Sequence, residues 1–232
     1  MAHVPVHRRR QHQPDRPAPS LRGGGPQWPV PLLSAGRARA EETAQMAIEA
    51  SLTGHLVLST LHTNSAAETV VRLLDMGMDP FNFADSLVAV LAQRLVRRLC
   101  PQCMRREPAT HAEQEELCED YRHAFPEDLH PTPEAIRAEW RAQLGEDSTP
   151  HLGRPVGCPA CDHSGYKGRT GIHELLTIDA ALRRLIQTKA PSEALEHAAV
   201  SHGHFRTLRQ DGILKVLQGL TTIDEIRAST AH

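Results

Sequence analysis

Two short cysteine pairs, Cys100-Pro101-Gln102-Cys103 and Cys158-Pro159-Ala160-Cys161, constrain this chain more than anything else in it. Two residues between thiols let one tight turn aim both sulfurs at a single ion, and two such turns complete a tetrahedral site. Four sulfurs leave no open coordination position. The spacing therefore predicts a structural Zn²⁺ held by Cys100, Cys103, Cys158 and Cys161, with unlinked thiols or a redox pair as the competing reading. The 54 residues between the pairs exceed the spacing of a short zinc ribbon, so the intervening chain must make its own excursion. The acid-rich, helix-patterned stretches His111 to Phe125 and Thr132 to Leu144 predict an inserted helical hairpin. Cys118 falls inside it and is expected to be an unligated thiol.

The chain has 232 residues, 40% of them hydrophobic, enough to bury one large or two small cores. No apolar run approaches the roughly 20 residues that cross a bilayer, and none among residues 1–40 has the form of a secretion leader. A cytoplasmic setting is expected, in which cysteines more often bind metal than form disulfides. A formal net charge of -2 gives no global positive field for nucleic acid. Residues 1–40 hold 7 of the 17 prolines and 7 arginines against the single acid Asp15. That mixture lacks a folding pattern and is read as a disordered or out-of-frame segment, a basic arm at Arg8, Arg9 and Arg10 being the functional alternative.

From Glu41 onward the pattern is α/β. Glu42 to Ala50 has good helix formers, and Gly54 can close the helix. His55 to Leu61 is a short apolar run that reads as a buried parallel strand. Ser65 can cap a helix carrying Val70, Val71, Leu73 and Leu74, ended by Gly77 and Pro80, and a further helix is predicted over about Phe81 to Leu99. In α/β sheets, ligands sit beyond the carboxyl ends of strands. Here that end gathers Ser59, Thr60, His62, Thr63 and Asn64. Their hydroxyls, amide and imidazole suit a sensor of nucleotide phosphate, or a loop that caps its neighbouring helix; spacing alone leaves both open.

Gly165-Tyr166-Lys167-Gly168-Arg169-Thr170-Gly171 reads as a glycine-rich turn entering the strand Ile172 to Leu176. A phosphate loop of the form Gly-x-x-x-x-Gly-Lys-Ser/Thr is absent: Lys167, Lys189 and Lys215 follow Tyr166, Thr188 and Leu214. The tail reads as helices over Ala180 to Thr188, Ser192 to Ser201 and Thr207 to Leu220, with Thr222-Ile223-Asp224-Glu225 in capping-box form.

Glu42-Thr43-Ala44-Gln45, Ser51 through Asn64, Leu91-Ala92-Gln93-Arg94-Leu95-Val96, both Cys-Pro-x-Cys pairs and Gly165 through Glu174 resemble, in order, the type II secretion and type IV pilus assembly ATPases. The resemblance covers about 41–232. It implies the C-terminal part of a RecA-like P-loop ATPase domain, disordered N-terminal residues aside, with an inserted four-cysteine zinc module. It also implies a motor, usually hexameric, that uses ATP and Mg²⁺ at the cytoplasmic face of the inner membrane to drive pseudopilus or pilus assembly with platform proteins. Ser59, Thr60, His62, Thr63 and Asn64 would then form the histidine box that couples nucleotide state to the subunit interface. Expected units are 41–99, the second part of the ATPase domain; 100–168, the zinc module; and 169–232, a strand with C-terminal helices.

The family's Walker A loop, acidic box and Walker B segment all precede its Glu-Thr-Ala-Gln stretch. Aligned backward from Glu42, Gly36, Arg37, Arg39 and Ala40 occupy the places of the Walker B glycine, glutamate, arginine and aspartate. An arginine cannot position water as a carboxylate does. Autonomous hydrolysis is therefore not expected, and residues 41–99 should present an unpaired sheet edge. A non-enzymatic, zinc-stabilised adaptor of an intact motor is the alternative.

Overall fold

The computed structural model describes residues 2–6, 32–37, 41–145, 150–203 and 205–231. In chain order these form β1 (Ala2–Val6), β2 (Leu32–Arg37), α1 (Glu41–Leu52), β3 (Leu56–Leu61), α2 (Ala66–Asp75), α3 (Pro80–Ser86), β4 (Ala89–Leu99) and β5 (Arg105–Pro108). They continue as α4 (His111–Arg122), α5 (Pro133–Leu144), β6 (His151–Arg154), β7 (Tyr166–Thr177), α6 (Ala180–Gln187), α7 (Ser192–Ser201), α8 (Leu208–Leu217) and α9 (Ile223–Thr230). The fold is α/β, as expected. A five-stranded mixed sheet has the order β2-β3-β1-β4-β7, and β5 pairs with β6 separately.

Of residues 1–40, expected to lack order, Ala2–Val6 and Leu32–Arg37 are described, and they lie in the sheet on either side of β3. The rest of that segment, with the basic run Arg8, Arg9 and Arg10, falls outside the described residues. The backbone of β3 is thus paired on both sides, antiparallel to β1 and parallel to β2, so the unpaired edge expected there is not seen.

Local chemistry accounts for most of the helix ends. Gly54, at φ +96°, turns the chain out of α1. The Ser65 side chain accepts the Glu68 N–H at the start of α2. Thr110 with Glu113, and Thr207 with Gln210, form reciprocal capping boxes at the starts of α4 and α8. The box expected at Thr222 does not form. Its Oγ1 lies 3.0 Å from the Tyr166 hydroxyl instead, and Glu225 accepts from the backbone N–H and guanidinium of Arg97.

The helix predicted over Phe81 to Leu99 is corrected. α3 ends at Ser86, Leu87 is extended at φ -73°, ψ 125°, and Ala89–Leu99 is a strand. Its residues pair antiparallel with β7, from Ala89 opposite Thr177 to Arg97 opposite Arg169. Val90, Ala92 and Val96 are buried while Leu95 and Arg97 on the other face are exposed, the period-2 alternation of a strand with one covered face. The turn expected over 165–171 is likewise mostly strand, with left-handed backbone only at Gly165 and Gly168.

The core has two parts. One packs α1, α2, α3, α6 and α7 on the inner face of the sheet around Val57, Val70, Phe83, Val90, Leu176 and Ile186. The other packs α4, α5, α8 and α9 around Val96, Tyr121, Ile136, Ile172, Ile213 and Leu217. The inserted hairpin expected between the cysteine pairs is α4 and α5, with Tyr121 and Trp140 in edge-to-face contact at 5.6 Å. Among the described residues no helix is long and apolar enough to cross a membrane.

Candidate functional site

The two cysteine pairs meet where β4 and β7 run out of sheet. Cys100 follows β4 directly, and its N–H donates to the Gly165 carbonyl just before β7 (2.9 Å). The first turn closes through Cys103 N–H to Cys100 O (3.3 Å) and Met104 N–H to Cys100 O (2.9 Å). The second closes through Cys161 N–H and His163 N–H to Cys158 O (3.1 and 3.0 Å), and Asp162 and His163 take left-handed backbone to bring the chain back. Both turns thus close on the carbonyl of their first cysteine.

The four Sγ atoms lie within 4.8 Å of one another. Cys100 to Cys158 is 4.0 Å, Cys103 to Cys161 3.8 Å and Cys158 to Cys161 3.8 Å. A disulfide needs about 2.05 Å, so no pair is bonded. A tetrahedron with zinc–sulfur bonds of about 2.3 Å has edges of about 3.8 Å. The residues therefore fit a four-sulfur metal centre, and the arrangement leaves no place for a substrate ligand. Around the sulfurs, desolvation works against the Cys161 thiolate, but N–H groups of Cys158 and Gly165 and the neighbouring thiols outweigh it and lower its pKa. Burial pushes the Cys103 thiol up. Cys118 lies on α4 outside the cluster, buried, its Sγ 3.9 Å from the Pro133 carbonyl and its pKa raised by desolvation.

Gly157 makes the second turn possible, and Gly168, inside β7, is the contrast to it. A Cβ on Gly157, at φ +100°, would stand 2.6 Å from the His163 carbonyl oxygen, a backbone atom that cannot rotate away. Gly168, at φ +79°, has nothing within 4 Å. Gly157→Ala is expected to cost about 3 kcal/mol and to weaken zinc binding, whereas Gly168→Ala costs about 1 kcal/mol with metal content unchanged. Thermal unfolding with metal analysis of both variants checks the contrast; equal losses would contradict it.

The second group sits at the carboxyl end of β3. Ser59 is buried on the inner face of the strand and Thr60, half-buried, points the other way. Thr63 Oγ1 is 2.6 Å from Thr69 Oγ1, and Asn64 donates its N–H to Glu68 (3.1 Å). These bonds wrap the loop onto the first turn of α2, the capping arrangement left open above. His62 is exposed. It lines, with Thr63, Asn64, Glu68, Arg72 and Arg94, a hollow of about 710 Å³. Of the five residues expected together, three meet here, and Ser59 and Thr60 do not line it.

Arg94 is the participant that sequence reasoning did not single out. From β4 its guanidinium donates to Asn64 Oδ1 (3.2 Å) and to the Ser229 carbonyl of α9. It lies within the run Leu91 to Val96 that carried the resemblance, but its contact with the loop depends on the strand pairing. Arg72 and Arg94 line this hollow together with the carboxylates of Glu68 and Asp75, so its charge is mixed.

Residues 32–228 match the profile of the family described as "Type II/IV secretion system protein". The type II secretion system protein E of Aeromonas hydrophila is 45% identical over 197 residues, 84% of this chain and 34% of that protein. The type II secretion system ATPase E of Vibrio cholerae is 42% identical, over 86% of this chain and 34% of that protein. The type IV pilus assembly ATPase PilB of Thermus thermophilus is 39% identical, over 86% and 20%. The chain thus spans about a third or less of the length of these relatives.

Proposed function

Because the chain belongs to the Type II/IV secretion system protein family, we propose that it supplies the nucleotide-coupling loop and the zinc-stabilised C-terminal region of a secretion or pilus assembly ATPase. These 232 residues do not hydrolyse ATP by themselves. The observation that carries this reading is the placement of the lysines. Phosphoryl transfer needs a lysine and Mg²⁺ on the phosphates and a group that positions the attacking water. Lys167 is exposed within β7, Lys189 follows α6, and Lys215 is paired with Asp211 inside α8. None stands in a loop between a strand and a following helix, where a phosphate loop belongs.

In this reading Ser59, Thr60, His62, Thr63 and Asn64 carry nucleotide state from the motor's phosphate site to α2. His62 and Arg94 reach the hollow, and the buried Ser59 fixes the strand end. Cys100, Cys103, Cys158 and Cys161 hold a structural Zn²⁺ that supplies folding free energy and no chemistry. ATP and Mg²⁺ enter only with the residues that hold the phosphate loop. Partners are the motor subunits, assembled as a hexamer, and platform proteins at the cytoplasmic face of the inner membrane.

The test is ATP turnover by the purified chain with Mg²⁺ and Zn²⁺, alongside binding of a fluorescent nucleotide at the same concentrations. Turnover is expected at background. Steady turnover that disappears in His62→Ala would overturn the proposal, since it would require a complete phosphate site within this chain.

A further inference from the structure

Glu174 is ionisable, yet it is buried, 5% exposed, on the inner face of β7 opposite Ala92. Its two oxygens serve two helices. Oε1 accepts the N–H of Ala66 (2.7 Å), 108 positions away, and Oε2 accepts the N–H of Leu208 (3.3 Å), 34 positions away. Ala66 opens α2 and Leu208 opens α8. The first turn of any helix has N–H groups without intrahelical partners. Ser65 and Thr207 each satisfy the third residue of their own helix, at Glu68 and Gln210. The first N–H of each is left, and one carboxylate takes both.

We propose that Glu174 is a positioning residue that ties the Ser59–Asn64 loop to the C-terminal helices, by capping α2 and α8 at once. The loop ends where α2 begins, so a shift of α2 against α8 moves the loop, and the two helix dipoles aimed at one anion resist that shift. What the loop senses rests on the reading above; the mechanical tie does not. Burial raises the Glu174 pKa to about 7, the two N–H donors opposing this and Glu196 and Glu68 adding to it. The other ionisable groups around the adjoining hollow are Glu193 and His197 of α7, Arg209 of α8 and His123 after α4. The tie therefore weakens on protonation in a range that is easily reached.

Amide nuclear magnetic resonance of the full zinc-loaded chain tests it. The Ala66 and Leu208 signals are expected to titrate with one shared midpoint in the unaltered protein and in His197→Gln, and to stop titrating in Glu174→Gln. Since a glutamine can offer one acceptor oxygen but not two, at least one of these amides should also exchange with solvent about tenfold faster in that variant. Different midpoints for the two amides, or a titration that survives Glu174→Gln, would overturn the proposal. The unaltered protein alone decides the first point if the variant does not fold. Shared titration that leaves the Ser59–Asn64 amides unmoved would likewise overturn it, whereas ATP turnover by the chain alone would remove the coupling reading and leave the tie standing.

Discussion

A chain carrying Cys100→Ser together with Cys158→Ser is expected to bind no zinc, against about one ion for the unaltered chain, and to lose more than about 5 kcal/mol of stability. Structural zinc contributes an apparent ~10–16 kcal/mol to folding in small metal-dependent modules, as large as the ~5–15 kcal/mol that separates a whole domain from its unfolded state. The loss here should be smaller, because Val96, Ile172, Ile213 and Leu217 pack beside the same end of the sheet without needing the ion. It should also spread. Leu99 donates its N–H to the Leu220 carbonyl (2.9 Å), Thr221 donates to the Arg97 carbonyl (2.8 Å), and Tyr166 meets Thr222. Those bonds fix the turn between α8 and α9 onto the ends of β4 and β7 that the four sulfurs join. Metal analysis and denaturant unfolding of the two proteins check the result; an unchanged midpoint with unchanged zinc would remove the metal centre from this account.

The cysteine centre was legible in the sequence because two residues between thiols is a local geometric requirement, independent of what the rest of the chain does. The helices were legible for a similar reason: Ser65 and Gly54 act within four residues of where they stand. Strand β4 was not. Its run of valine, leucine, alanine and glutamine satisfies a helical period and a strand period alike, and the partner that decides between them, β7, lies more than 60 residues further on. Thr222 and Glu225 have the spacing of a capping box, but each has a stronger partner across the fold, Tyr166 and Arg97. Glu174 closes one of the runs that carried the resemblance, but its role was not legible, because both amides it serves are distant in sequence. Arg94 joins the loop hollow only because β4 is a strand. Where function depends on pairing between distant segments, the sequence order of the motifs carried the family but not the contacts.

Replacing Glu174 by glutamine is expected to flatten the dependence of stability on pH between about 4.5 and 7. The ordinary glutamate value is 4.5 and burial raises this one to about 7. A carboxyl whose pKa is higher in the folded state binds its proton more tightly there. It therefore favours folding below 4.5, and that contribution is lost as pH rises toward 7. A shift of about 2.5 units at about 1.4 kcal/mol each gives about 3.5 kcal/mol over the interval. The direction is opposite to that of Asp179 and Glu225, whose pKa values are lowered by their N–H and arginine or histidine partners and which lose their stabilising effect as pH falls. Those two are partly exposed and should contribute little. Denaturant midpoints at pH 5 and pH 8 for the unaltered chain and Glu174→Gln separate the terms. The unaltered protein should lose stability relative to the variant on going to pH 8, and a parallel pair of pH profiles would show that Glu174 is ionised throughout.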